Sequence, residues 1–481
     1  MKKSDAPQGA RDFPKERATS RILSATMKRF TRTLTALALT ATLHAADPVL
    51  QPLFNGKDLT GWVPVNIAPG TFSVKDGVLI TTGSPVGTIR TEKMYENFII
   101  ELEWRHMSKG GNSGLFLWAD GLPEVGSAYP RGIEVQVLDT GYNADGKNEW
   151  YSVHGDIFPV NGAKMTPAGR ISPNKARSFP SEERIKPSPE WNHYRVVANN
   201  GELKMSVNGK EVTVAQGSSP RKGYIMLESE GAPCHFRNIR IAELPTTNPK
   251  PDEIAKSADG FVPIFTGINL DGWKLPEGDN GHWKAAGEVI DYDAMSEAKA
   301  DKHLWTDRAY SDYTLVVDWR IKETPYTNPR TRNVLPDGSD EKGADGQALG
   351  IPRPDSDSGI ILGGDQRYQV NIWCWPVGSG EMYGIRTDGK TPPELRAAVT
   401  PKLKADNKIG DWNRYEITHR KGLVSVVLNG KTVIPGAQIP GFPTSAPLGL
   451  QHHGGKNKEG AWNSPPALVQ FRNLFIRELK D

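Results

Sequence analysis

Cysteine is nearly absent from this chain. Cys234 and Cys374 are the only two in 481 residues, so neither a disulfide framework nor a cysteine-based metal site is expected. Long apolar runs are missing as well. The stretch from Leu34 to Leu43 is too short to span a bilayer, and no stable membrane insertion is expected. Heptad patterning is absent, which argues against helical bundles. A surplus of one charge is lacking too. The formal net charge is +3, yet nine of the 59 Lys and Arg and three of the 56 Asp and Glu fall in residues 1–45. The remainder, with 50 basic and 53 acidic groups, stands at −3. A near-neutral chain without a basic stripe gives no support for nucleic-acid binding.

What the chain has in quantity is glycine, proline and tryptophan (49, 37 and 13), a composition of short strands joined by turns. It also has an internal repeat. Leu53-Phe54-Asn55-Gly56-Lys57-Asp58-Leu59-Thr60-Gly61-Trp62 returns as Ile264-Phe265-Thr266-Gly267-Ile268-Asn269-Leu270-Asp271-Gly272-Trp273. In order, Asn112-Ser113-Gly114 is answered by Asp357-Ser358-Gly359, Glu190-Trp191-Asn192 by Asp411-Trp412-Asn413, and Phe236-Arg237-Asn238 by Phe471-Arg472-Asn473. A repeat of roughly 210–220 residues is long enough to be a domain rather than a solenoid unit.

The organisation expected is therefore residues 1–46 as an extended N-terminus and signal peptide, 47–244 as a first sandwich, 245–260 as a proline-rich linker and 261–481 as a second sandwich. Met27-Lys28-Arg29 before the apolar stretch, with His44-Ala45-Ala46 after it, reads as an export signal starting at Met27. No lipobox cysteine follows, so a soluble periplasmic or secreted protein is expected. Within each copy apolar residues alternate at period two, and Asn208-Gly209 and Asn429-Gly430 mark hairpins. The fold class expected is all-β: two tandem antiparallel β-sandwiches. The long irregular stretches, 143–189 and 324–355, are of the kind that is functional or disordered.

Alternation sets Glu101, Glu103 and Arg105 on one strand face, Glu134 with Gln136 on another, and Glu228 with Glu230 on a third. Such ladders often do no more than pair across a solvated sheet. The second copy argues for a groove. Glu103 and Arg105 return as Asp318 and Arg320, Glu134 and Gln136 as Gln369 and Asn371, Asp156 as Glu381, and Glu228 and Glu230 as Gln451 and His453. Hydrogen-bonding groups are kept while their charge changes. Acids and amides beside Trp118, Trp150, Tyr151, Trp373 and Trp375 suit a sugar, whose hydroxyls need polar partners and whose C–H faces stack on rings. Glu134, Asp139, His154, Asp156 and Glu230 are hard donors fit for a divalent metal such as calcium, although no spacing signature requires one.

Leu-Phe-Asn-Gly-Lys-Asp-Leu-Thr-Gly-Trp at 53–62, Gly111-Asn112-Ser113-Gly114, Glu134-Val135-Gln136-Val137-Leu138-Asp139, Glu190-Trp191-Asn192 and Phe236-Arg237-Asn238-Ile239 together resemble the 3-keto-disaccharide hydrolase family. The resemblance covers both repeats. It implies a concanavalin-A-like (jelly-roll) sandwich and cleavage of glycosides oxidised at C3, by hydrolysis or by elimination across C1–C2. A C3 ketone acidifies the C2 proton, so a base can remove it while an electrophile stabilises the enolate. By this resemblance Glu134 or Glu230 is the base and Arg105 the electrophile in the first domain. In the second, His453 or Glu381 is the base and Arg320 the electrophile. Glu103, Asn112, Gln136, Glu228, Asp318, Gln369, Asn371, Gln451, Trp118 and Trp373 would bind substrate, with Asp139, His154 and Asp156 as metal ligands. The copies depart from the family differently. The first has Glu228-Ser229-Glu230-Gly231 where the second keeps Gln451-His452-His453-Gly454, and the second lacks the Glu-x-Gln-x-x-Asp motif. One copy is then a degenerate binding module, or the whole a non-catalytic carbohydrate-binding pair. A retaining glucanase needs two carboxylates about 5–5.5 Å apart, which the Glu-x-Gln-x-x-Asp strand only partly supplies.

Overall fold

Strand alternation becomes two face-to-face sheets in each repeat. The computed structural model of the protein describes residues 48–480; the segment read as an export signal, with Met27, lies outside them. In the first repeat the strands that position the polar residues are β1 (Phe98–His106), β2 (Asn112–Ala119), β3 (Gly132–Leu138), β4 (Asn192–Asn199), β5 (Tyr224–Ser229) and β6 (Cys234–Glu243). Strands β4, β1 and β6 lie side by side in a nine-stranded sheet, and β3, β2 and β5 in an eight-stranded one, all antiparallel. Ile100, Leu102 and Trp104 of β1 meet Leu115, Val135, Val137 and Leu227 of the opposing sheet in one core. Each fully buried apolar chain there contributes about 1.5–3 kcal/mol.

The second repeat builds the same architecture from β7 (Tyr313–Ile321), β8 (Ser358–Ile361), β9 (Gln369–Ile372), β10 (Asn413–Arg420), β11 (Ala446–Leu450) and β12 (Val469–Glu478). Strands β10, β7 and β12 belong to an eight-stranded sheet, and β9, β8 and β11 to a five-stranded one. Its core centres on Trp319, Tyr415, Ile360 and Ile372. Both hairpin signals form as expected: Asn208 and Gly209 have φ of 48° and 86°, Asn429 and Gly430 of 51° and 73°, the paired positive φ of a type I′ turn. Among the described residues α-helix is limited to the short Tyr383–Arg386 and Pro393–Ala398. No helix among them is long and apolar enough to cross a membrane. Cys234 and Cys374 are both free thiols.

Both irregular stretches carry strands, Ile157–Val160 and Lys164–Ala168 among them in 143–189. In the insert 324–355, Tyr326–Asn328 pairs with Arg353–Asp355. Residues 245–260 lie against the first sandwich: Asn97 Nδ2 donates to Pro245 O at 2.7 Å and Lys256 N to Asp120 Oδ1 at 2.8 Å.

Candidate functional site

A sandwich has two outer faces, and the candidate residues divide between them. Glu103 and Arg105 stand on the outer face of β1, with the core between them and Glu134 on β3. There Glu103 accepts from Arg237 Nη2 at 2.7 Å and Asn238 Nδ2 at 2.6 Å, and the Arg105 guanidinium lies over Trp191. Neither is part of the Glu134 site. The same geometry separates Asp318 and Arg320, on β7, from Gln369 and His453. Arg320 donates to Gln470 and lies over Trp412. Asp318 is fully buried and accepts from Arg414 at 2.6 and 2.9 Å, from Asn473 Nδ2 at 2.7 Å and from Gly126 N of the first sandwich at 2.9 Å. It is a latch between sandwiches, not a substrate ligand. Trp118 is likewise core: fully buried, it donates from Nε1 to Glu96 O at 2.7 Å. Sequence spacing sets residues on one face of a strand; it does not say which sheet the strand joins.

In the first sandwich, β2, β3 and β5 bring Asn112, Glu134, Gln136 and Glu228 onto one outer face, with Glu230 at its edge. Gly114 lies among them because nothing larger fits. A Cβ there would come within 2.7 Å of Glu228 Oε2 and 2.8 Å of Glu134 Oε1. Glu230 is engaged on both oxygens, accepting from Asn112 Nδ2 at 2.5 Å and Tyr129 Oη at 2.8 Å. Gln136 donates to Asn112 Oδ1 at 3.1 Å and accepts from Arg177 Nη1 at 3.1 Å. Arg177 stacks over Phe158 and faces Asp156 at 3.7 Å; Trp150 and Tyr151 stand further off its guanidinium. Burial, then the Glu230 charge, pushes Glu134 up to about 8. Burial, with Glu134 and Glu230 next, pushes Glu228 well above the carboxylate range. Glu134 and Glu228 are buried, and both carboxyls hold their protons more tightly than a free side chain.

The equivalent face of the second sandwich is open. A cleft of about 750 Å³ is lined by Gln369 and Asn371 of β9, Gln451 and His453 after β11, Asp357 before β8, and Trp373, Trp375, Tyr383 and Arg386. Gly359 keeps the role of Gly114: a Cβ there would meet Gln369 Nε2 at 2.4 Å. Gln369 donates to Gln451 Oε1 at 2.7 Å. Neither the Gln451 nor the Asn371 NH2 group is taken up by another described side chain, although both residues are largely buried. His453 Nδ1 donates to Pro465 O at 2.5 Å, so in the neutral imidazole Nε2 is the acceptor nitrogen. Asp357 opens partly to the cleft, yet its Oδ1 is cut off from solvent without a hydrogen-bond partner. Burial pushes Asp357 up to about 7, against the opposing pull of nearby His453. The Trp373 and Trp375 rings stack at 4.2 Å and 5°, with Tyr383 edge-on at 5.8 and 5.9 Å.

Glu381, a base candidate by sequence, is fully buried and ion-paired to Arg386, so it is positioned rather than free. Its counterpart Asp156 is fully buried too, held by Ser152 N at 2.8 Å and facing Arg177; burial pushes it up to about 6. The three proposed metal ligands do not converge. Asp139 accepts three backbone amides, Gly110, Gly141 and Ser188, at 2.7–2.8 Å. Although its burial opposes the effect, those bonds hold its pKa below the ordinary value. His154 faces Glu183 at 3.5 Å instead. Among the described residues no group of three or more His, Cys, Asp or Glu is arranged to hold a metal. Sequence reading missed Asp357, whose alignment to Asn112 was visible, and Tyr129, Arg177 and Arg386, which come from segments without periodicity.

The sequence profile of a family described as the 3-keto-alpha-glucoside-1,2-lyase-like domain matches residues 50–242 and again 260–477. A 3-keto-disaccharide hydrolase from Bacteroides thetaiotaomicron is 24% identical over 226 residues, 40% of this chain and 77% of that protein. Among solved structures, an inferred glycosyl hydrolase from Parabacteroides distasonis aligns at 24% identity and a TM-score of 0.33, over 41% of this chain and 94% of that one. The carbohydrate-binding module CBM66 from Bacillus subtilis aligns at 16% identity and a TM-score of 0.27, over 37% and 93%.

Proposed function

Because the chain belongs to the 3-keto-α-glucoside-1,2-lyase-like family in both its repeats, we propose that it cleaves glycosides oxidised at C3 and does so in the cleft of the second sandwich. The observation that carries this reading is that His453 and Asp357 line one cleft together with stacked tryptophans. His453 Nε2 takes the C2 proton, and the electrons of that C–H bond pass into the C3 carbonyl as an enolate. The NH2 groups of Gln451 and Asn371 are placed to hydrogen-bond the developing oxyanion. When the enolate collapses, C1=C2 forms and the C1–O bond breaks. Asp357, whose carboxyl burial pushes up to about 7, gives its proton to the leaving oxygen. Water then adds at C1 of the enone, Asp357 taking its proton as the electrons return to the C3 enolate, and protonated His453 gives its proton back to C2, which completes hydrolysis and restores both groups. Trp373 and Trp375, stacked on one another, form an aromatic wall of the cleft.

In this reading the first sandwich is not the reacting one. Both oxygens of Glu230 are occupied, and burial pushes the Glu134 and Glu228 carboxyls above their ordinary range. The export signal expected at residues 27–46 would place the reaction outside the cytoplasm. Incubation with a chemically 3-oxidised aryl glucoside in heavy water tests the proposal. Aglycone release with deuterium gained at C2 is expected. Binding without turnover would refute it and leave a carbohydrate-binding double sandwich.

A further inference from the structure

Four arginines line the cleft of the second sandwich, and only two have acidic partners. Arg386 is committed to Glu381 and Asp340, and Arg367 to Asp388 at 2.5 Å. Arg330 and Arg332 line the same cleft, and no carboxylate among the described residues pairs with either. Both lie in the insert 324–355. The first sandwich has nothing comparable, since residues 107–111 alone join β1 to β2.

The insert is anchored to the cleft at three places. Asn328 Nδ2 donates to Asp355 Oδ2 at 2.7 Å, and Asp355 Oδ1 accepts Cys374 N at 3.0 Å. Val334 is buried against Trp373 and Trp375. Arg386 donates to Asp340 at 2.8 Å and to Gly338 O at 3.2 Å. Two guanidinium groups without counter-ions are thus carried on a fixed support beside an aromatic shelf. Planar forks of this kind match a carboxylate in shape and charge.

We infer that the cleft selects glycosides bearing a carboxylate, which Arg330 and Arg332 receive while His453 and the amides engage the oxidised ring. This rests on the assignment of the cleft as the cleavage site. The carboxylate has two possible sources, the group at C1 or C6 of the sugar itself, and the same chemistry serves both.

Three 3-keto substrates separate these sources: the 4-carbamoylphenyl glucoside, which is neutral; the 4-carboxyphenyl glucoside; and the 4-carbamoylphenyl glucuronide. At least one acidic substrate should exceed the neutral one in kcat/KM by about tenfold, and which one does so identifies the source. In an Arg330→Gln, Arg332→Gln double variant that ratio should fall to about one, with the melting temperature kept. The Arg330→Lys, Arg332→Lys variant should retain part of the preference, because charge without the fork is preserved. Equal kcat/KM for all three substrates, or a preference that survives the Gln variant, would overturn the inference. If no substrate is turned over, the cleavage assignment fails separately. Calorimetric binding of the 4-carboxyphenyl and 4-carbamoylphenyl compounds to wild-type and double-variant protein then decides the anion preference alone.

Discussion

Replacing Asp318 by alanine separates the latch from the groove role that its alternation with Arg320 suggested. In the folded protein the Asp318 carboxylate is fully buried and accepts Arg414 through two bonds, Asn473 through one and the Gly126 amide of the first sandwich through another. Alanine leaves the largely buried Arg414 guanidinium facing nothing on that side and strips Gly126 N and Asn473 of an acceptor. Removing one member of a buried ion pair costs about 3–5 kcal/mol, most of it from the stranded charge. For domains of this size each kcal/mol corresponds to roughly 2–4 °C, so the transition carrying the second sandwich should fall by roughly 6–20 °C. Calorimetry with intrinsic tryptophan fluorescence, Trp412 being beside the latch, reads this directly. Below the new transition KM should change little, since Asp318 faces away from the cleft. A shift under about 2 °C, or a KM raised tenfold in a thermally unaltered protein, would refute the reasoning.

Other outcomes follow from the same geometry. Glu134 and Glu228 titrate above their ordinary value of 4.5 when folded, so between about pH 4.5 and 8 the folded state binds more protons than the unfolded one. Stability should therefore fall as pH rises through that window; melting curves from pH 5 to 8 should show this in wild type and flatten in Glu228→Gln. Gly114→Ala forces a methyl to within 2.8 Å of two carboxyl oxygens, and denaturant titration should show a loss of about 1–3 kcal/mol. With Asp357 as the acid, cleavage should decline as pH rises past about 7. In Asp357→Asn that limb should disappear and the rate on a poor leaving group should fall about 10²–10⁴-fold, as a pH–rate profile would show.

The repeat and its period-two alternation made both sandwiches legible, and Glu134 and Gln369, exchanged between the copies, stand on equivalent sheet faces. What alternation could not supply was the sheet each strand joins. Arg105 and Glu134 are both polar positions on well-patterned strands, yet a core some two side chains deep separates them. Trp118 looked like a platform, but at φ 53° beside a register shift it turns into the core. Asp357 carries no charge signal across the repeat, because its counterpart in the first copy is the uncharged Asn112. Arg386 escaped notice because a four-residue helix, fixed only by tertiary contacts, carries it.

The central claim, that one fold was duplicated but only the second copy reacts, is tested most directly by measuring kcat/KM for aglycone release in His453→Ala and Glu230→Gln side by side. The account predicts a loss of about 10²–10⁴-fold for His453→Ala and a rate within about twofold of wild type for Glu230→Gln. The reverse pattern, with Glu230→Gln inactive and His453→Ala active, would contradict it.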